Sequence, residues 1–312
     1  MIAFGPISSR RLGKSLGINN IVSHKICSYS CIYCQIGNTT RKSVVRKKFY
    51  DPEKLVKHVE SHLNKLDKNH KPDYLTFVAN GEPTLDINLG REIQLLGKFG
   101  IPVAVITNAS LIYQEEVRED LMMADWISVK IDTVDETVWK RTNRPVSGIS
   151  LERILEGLEL FAAGYKGKLH TETMLVKDYN DSTGQLKKSA AFIARLKPQK
   201  AYLLIPTRPP ALKGINPATE VKLTEAWLIY QEKELSAELL TGFEGTDTGT
   251  TGNAFEDILN IVSVHPLRED TISGLLEQDK SDYSVIDTLI EQKLIEKTKF
   301  KGKTYYIRCF QY

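Results

Sequence analysis

His24-Lys25-Ile26-Cys27-Ser28-Tyr29-Ser30-Cys31-Ile32-Tyr33-Cys34 is the stretch on which the reading of this chain turns. Three thiols stand there as C-x3-C-x2-C, and the fourth cysteine of the 312-residue chain is far away at Cys309. A tight cysteine cluster of this kind suits metal or redox chemistry better than a disulfide scaffold. Spaced thiolates on one loop can wrap a cubane 4Fe–4S cluster, which needs four ligands, so three from the protein leave one iron open. A structural zinc ion would instead want a fourth protein ligand, and His24 is close enough in sequence to be considered. Cys309 reads as a small buried residue of the last strand rather than as that fourth ligand.

Outward from the loop, a strand–helix rhythm runs from residue 18 to about 240. The first strand is expected at Ile18–Val22, feeding the cysteines. Asp51-Pro52-Glu53 then opens a helix, with Asp as cap, Pro in the first turn and an acid beside the helix N-terminus. Leu55, Val56, Val59, Leu63 and Leu66 recur on one face of it. Short apolar runs follow at Tyr74–Ala79, Val103–Thr107, Trp126–Ile131, Leu169–Leu175 and Tyr202–Ile205. Helical patterns separate them near 88–99, 114–123, 151–163, 184–196 and 224–235. Buried strands alternating with helices predict a parallel sheet of right-handed βαβ units. Six strands suit a partial TIM-like (β/α)6 barrel, with functional residues on the loops after the strand ends.

At Thr241 the composition changes to TGFEGTDTGTTGN, which reads as a Gly/Thr-rich linker or a loop over the barrel mouth. Residues 253–312 follow as a compact unit: helices at 255–264, 271–278 and 283–292, then a hairpin turning at Lys301-Gly302-Lys303. That order predicts a winged helix-turn-helix. The expected division is 1–240, 241–252 and 253–312. Charge is unevenly spread. Residues 1–71 hold 14 Lys and Arg against 4 Asp and Glu, although the whole chain is only +3. A basic flank near the cysteines would steer an anionic substrate. The C-terminal unit is mildly acidic, with 8 basic and 10 acidic residues, but its hairpin carries Lys297, Lys299, Lys301 and Lys303. No apolar run approaches the roughly 18 residues of a membrane span. The N-terminal segment lacks the order of a secretion signal, so a cytoplasmic protein without membrane contact is expected.

Three further segments sit where barrel strands end. Asn80-Gly81-Glu82-Pro83 follows the second strand; glycine allows close backbone approach to a ligand, and a carboxylate suits an ammonium group. Thr107-Asn108 ends the third strand. Lys130 and Asp132 end the fourth, where a buried charge is costly unless paired or bound. With the cysteine spacing and the aromatic Tyr33 before the last thiol, these segments resemble the radical S-adenosylmethionine (SAM) superfamily. The resemblance implies that Cys27, Cys31 and Cys34 bind a 4Fe–4S cluster whose fourth iron is chelated by SAM. It also implies that Gly81, Glu82 and Pro83 place SAM, with Tyr33, Asn108 and Asp132 as further contacts. Asn80 and Ala109 stand where the family has glycine.

Within that family the chain is similar to the wyosine-synthase-like Fe–S oxidoreductases over about residues 1–235. Those enzymes extend a guanine base in tRNA and carry additional N-terminal cysteines, which this chain lacks before Cys27. The resemblance therefore implies reductive SAM cleavage to a 5′-deoxyadenosyl radical, with an electron donor such as flavodoxin or ferredoxin. The expected substrate is tRNA or another nucleotide-containing molecule. Alternatives are a peptide, a glycyl-radical enzyme awaiting activation, or a non-enzymatic Fe–S sensor that binds DNA. Arg10, Arg11 and Arg208 lie on loops expected at the barrel mouth and are the candidates for anchoring a carboxylate or phosphate.

Overall fold

A computed structural model describes residues 2–21, 24–66, 70–242 and 245–309. The chain begins with a hairpin of β1 (Ala3–Ser9) and β2 (Gly13–Ile18), followed by the two-residue strands β3 (Ile26–Cys27) and β4 (Arg41–Lys42). There follow α1 (Pro52–Lys65), β5 (Tyr74–Phe77), α2 (Leu89–Leu96), β6 (Val103–Thr107), α3 (Glu115–Met122) and β7 (Trp126–Lys130). Next come α4 (Glu136–Thr142), α5 (Leu151–Gly164), β8 (Lys168–Met174), α6 (Thr183–Leu196), β9 (Lys200–Leu204), α7 (Glu220–Gln231) and β10 (Ala237–Leu240). The remainder holds α8 (Ala254–Val262), β11 (Leu267–Arg268), α9 (Glu269–Gln278), α10 (Ser284–Glu291), β12 (Ile295–Phe300) and β13 (Lys303–Arg308).

Local signals in the sequence explain the helices. Asp51 accepts a hydrogen bond from Lys54 N at 3.0 Å and caps α1, which buries Leu55, Val56 and Val59. Ser150 caps α5 in the same way, and Ile154, Leu158 and Phe161 form its buried stripe.

The main sheet runs in the order β1-β2-β5-β6-β7-β8-β9-β10, and only β1 is antiparallel to its neighbour. From β2 onward the strands follow sequence order without reversal. A doubly wound sheet reverses at a switch point; a sheet that does not keeps its helices on one side and curls into a partial barrel. Trp126, Tyr202, Leu12, Ala104 and Leu240 form a cluster of their own, apart from the main core that carries the apolar faces of α1–α7. Among the described residues no helix is long and apolar enough to cross a membrane.

Several boundaries differ from the sequence reading. The first parallel strand is Gly13–Ile18, ahead of the expected Ile18–Val22, whose last residue lies outside the described residues. Asn19 explains the shift: its Oδ1 accepts from Ile21 N at 3.2 Å and Asn80 N at 2.8 Å, turning the chain as soon as the strand ends. A seventh parallel strand, β10, follows the six expected ones. Residues 247–249 of the Gly/Thr-rich segment run along β1, with Gly249 N to Pro6 O at 2.7 Å and an Ile7–Thr248 bridge; Phe243 and Glu244 of that segment lie outside the described residues, as does Phe310 of the final strand expected over Thr304–Phe310.

The C-terminal unit has three helices and an antiparallel sheet ordered β11-β13-β12. Its core includes Phe4 of β1, with Ile7 and Val78 packed against it. It is therefore docked on the barrel beside the cysteine loop: Gln35 Nε2 donates to Val264 O at 3.0 Å, and the Tyr305 hydroxyl donates to Thr207 O at 3.0 Å.

Candidate active site and cofactor site

The cysteine loop is tied down at both ends and in the middle. Ser43 N donates to Cys27 O at 3.0 Å, while Ser30 N and Ile32 N donate to Asn143 O and Thr142 O at the end of α4, each at 3.0 Å. Each thiol sulfur has its own nitrogen donor. Asn108 Nδ2 lies 3.4 Å from Cys27 Sγ, Asn143 Nδ2 3.4 Å from Cys31 Sγ, and Lys25 Nζ 3.1 Å from Cys34 Sγ. Burial pushes the Cys27 thiol up to about 12, and burial followed by the charge of Cys34 pushes Cys31 up to about 11. Bound iron reverses that preference, because a coordinating thiol is deprotonated outright. Three N–H groups aimed at three sulfurs suit thiolates that carry charge into a cluster. Among the described residues no three Cys, His, Asp or Glu side chains gather as ligands for a single ion, and His24 is exposed. The donor set, three thiols each met by a nitrogen donor, fits a cluster held by three protein thiolates.

The Gly-Glu-Pro segment is stitched to this loop. Ile26 N donates to Asn80 O at 3.2 Å, and Glu82 N donates to Ile26 O at 3.1 Å. The two backbones come so close that a Cβ on Gly81, whose φ is +140°, would lie 1.7 Å from Ile26 O. Only glycine meets both demands. Glu82 is buried and oriented by four donors: Thr84 N at 3.1 Å, Thr84 Oγ1 at 2.7 Å, Thr107 Oγ1 at 2.5 Å and Asn108 N at 2.8 Å. Burial pushes its carboxyl up from the ordinary range against those donors, so a cation beside it would be favoured. Pro83 opens the 3-10 turn that Glu82 caps, and its carbonyl accepts from Asn20 Nδ2 at 3.2 Å.

Cys27, Cys31, Cys34, Gly81, Glu82 and Asn108 line one cavity of about 310 Å³, together with Tyr33, Arg10, Arg11 and Arg208. Pro83 and Asp132 are not on its wall. Asp132 instead accepts hydrogen bonds from the Tyr33 hydroxyl, from Asn143 Nδ2 at 2.7 Å and from Met174 N at 2.9 Å. It locks the cysteine loop to β8 rather than facing the cavity. Arg11, itself half-buried, forms an ion pair with the buried Glu172, which also accepts from Ser128 Oγ at 2.9 Å and lies 3.9 Å from Lys130 Nζ. Burial alone would raise the Glu172 carboxyl, but Arg11 and Lys130 outweigh it and hold it below the usual range. Arg208 spans three elements. It donates to Gln35 Oε1 at 3.3 Å and to His265 Nε2 at 2.8 Å; a guanidinium only donates, so that ring nitrogen accepts.

Lys25, Asn143, Glu172 and His265 escaped the sequence reading. Lys25 sits next to the cysteines, and its position was the available signal. Glu172 and His265 had none, since their partners lie 161 and 57 residues away.

Comparison with known proteins adds to this geometry. The sequence profile of the radical SAM superfamily matches residues 21–189. A UPF0026 protein of Methanocaldococcus jannaschii is 45% identical over 309 residues, covering 98% of this chain and 96% of its own length. A UPF0026 protein of Helicobacter pylori strain 26695 is 31% identical over 308 residues, 98% of this chain and 97% of its own. Among solved structures, TYW1 with a lysine–pyruvate adduct bound matches with a TM-score of 0.55 at 17% identity, over 71% of this chain and 75% of that one. That likeness is one of fold.

Proposed function

The chain belongs to the radical SAM superfamily, and we propose that it directs that chemistry at tRNA or another nucleotide-containing substrate. It is an enzyme that uses a 4Fe–4S cluster and SAM. When bound, these supply one-electron cleavage to a hydrogen-abstracting 5′-deoxyadenosyl radical. The protein's share is binding, orientation and exclusion of water.

Cys27, Cys31 and Cys34 would hold the cluster, with Asn108, Asn143 and Lys25 donating to their sulfurs. Gly81 and Glu82 would receive the amino end of SAM, and Pro83 would shape their turn. Tyr33 would present its ring at the cavity wall, fixed from behind by Asp132. Arg10 and Arg208 would meet the substrate's anionic part, whereas Arg11, held by Glu172, would brace the cavity. An electron donor such as flavodoxin or ferredoxin would reduce the cluster. The observation that carries the reading is the backbone stitch between Ile26 and the 80–82 segment, which sets the thiols and Glu82 on one cavity. The order α8-β11-α9-α10-β12-β13 supports reading the C-terminal unit as a winged helix.

One observation favours a peptide or protein substrate instead: the C-terminal unit is acidic in sum. Substrate identity is tested by anaerobic turnover with bulk tRNA, nucleotides or a peptide library, each prepared deuterated. Deuterium in 5′-deoxyadenosine from the RNA or nucleotide pool is expected. Deuterium from the peptide pool alone would overturn the proposal.

A further inference from the structure

Beside the cluster cavity lies a second one of about 200 Å³, between the barrel lip and the β12–β13 hairpin. The two adjoin, with Ile7, Ser8, Ile205, Thr207, Arg208 and His265 lining both. The first cavity is at the lower end of ligand-pocket sizes, roughly 300–1,000 Å³. A nucleoside-sized cofactor occupies most of such a volume, and a substrate must then approach from the adjoining space.

Among the described residues, the charged side chains on that adjoining wall are of one sign. Arg208, Arg268, Lys301 and Lys303 line it, and no Asp or Glu among the described residues does. This holds although acids outnumber bases in the C-terminal unit; an acid paired nearby is Asp270, bound to Arg268. Phe300 and Tyr305 add aromatic rings. Thr248 adds a second, independent sign. It is 2% exposed and lines this space, and its Oγ1 has no hydrogen-bond partner among the described residues. A buried hydroxyl left unsatisfied is destabilising, and a bound acceptor would remove that cost.

We propose that this space is a phosphate-binding subsite that grips a nucleotide of the substrate while its reacting part reaches past Arg208 and His265 to the cluster cavity. The cations meet the phosphate, Thr248 donates to one of its oxygens, and an aromatic ring stacks on the base. This rests on the radical-enzyme reading. It also gives the C-terminal unit and Thr248 of the Gly/Thr-rich segment a shared role.

The test uses the full chain and two probes: a fluorescein-labelled single-stranded oligoribonucleotide read by anisotropy, and nucleoside monophosphates as competitors. Wild type should bind the strand, with affinity falling as salt rises. K301E/K303E should weaken binding at least tenfold, and neutralising the two lysines with K301Q/K303Q should reduce the log–log salt slope by about 1.4, at roughly 0.7 per single-strand phosphate contact. Thr248→Val should weaken binding several-fold with an unchanged or higher Tm, which a merely structural hydroxyl would not do. Competition by monophosphates would identify a free nucleotide as the source, and its absence a strand. Binding that ignores both charge changes and Thr248→Val overturns the proposal, as does a wild type that binds neither probe. SAM cleavage by wild type is scored separately, so loss of the subsite and loss of the radical reading are distinguishable.

Discussion

Gly81→Ala is the substitution whose consequence the structure specifies most closely. The new methyl carbon would sit 1.7 Å from Ile26 O and 2.6 Å from Ile26 C, both backbone atoms that no rotamer change can move aside. Ordinary contact begins near 3.4 Å, so the two segments must part by well over 1 Å. The bonds from Ile26 N to Asn80 O and from Glu82 N to Ile26 O cannot survive that. Two lost hydrogen bonds cost about 1 kcal/mol each, and a non-glycine residue at φ +140° adds about 1–3 kcal/mol. The sum is about 3–5 kcal/mol, or a Tm lower by about 10 °C at the ~2–4 °C per kcal/mol of proteins this large. The same parting separates Glu82 from the thiols, so SAM affinity should fall along with stability. Thermal melts and equilibrium dialysis with SAM on the reconstituted protein measure both. A Gly81→Ala protein that melts within about 2 °C of wild type and binds SAM normally would refute the stitch as the element that assembles the site.

Lys25→Met should leave three cluster ligands in place but remove both a cation and an N–H donor from Cys34; the reduction midpoint should move negative, while Lys25→Arg stays near wild type, as read by potentiometric electron paramagnetic resonance. Ala109, at φ +58°, occupies the left-handed region that glycine enters freely. Ala109→Gly should therefore be stabilising by up to about 1 kcal/mol in urea unfolding, and a loss of stability would count against strain there. Burial, then the charge of Asp86, pushes the Glu92 carboxyl up to about 9. A carboxyl raised in the fold costs nothing below its unfolded value, costs progressively more as pH climbs toward 9, and levels off above it. Glu92→Gln should accordingly gain stability at pH 8 and little at pH 5; an equal gain at both would show that charge is not the cause.

What could be read from the sequence was whatever is carried by neighbours along the chain. The thiol spacing, the Gly-Glu-Pro segment and the alternation of strands and helices are local patterns, and they placed the cysteines, Gly81, Glu82 and Asn108 on one cavity wall. Pairings over long separations were not legible. Asp132 ends a buried strand as expected, but its carboxylate is engaged by Tyr33, 99 residues away, and by Asn143. Arg11 reads as a candidate anchor, but its ion pair with Glu172, 161 residues away, leaves no mark in the sequence. The Gly/Thr-rich segment reads as linker because it has few apolar residues, yet its backbone bonds to β1 need none. β10 is only four residues long, with Glu238 in its middle, too short to show a pattern.

In the proposed function Cys27, Cys31 and Cys34 hold a cluster that cleaves SAM reductively. That claim is tested most directly by anaerobic reconstitution with iron and sulfide, addition of SAM and dithionite, and chromatography of 5′-deoxyadenosine, with substrate pools supplied. Wild type should yield 5′-deoxyadenosine and Cys31→Ala none. A wild-type protein that carries zinc in place of the cluster, or one with an intact cluster that yields no 5′-deoxyadenosine with any pool, would contradict that claim.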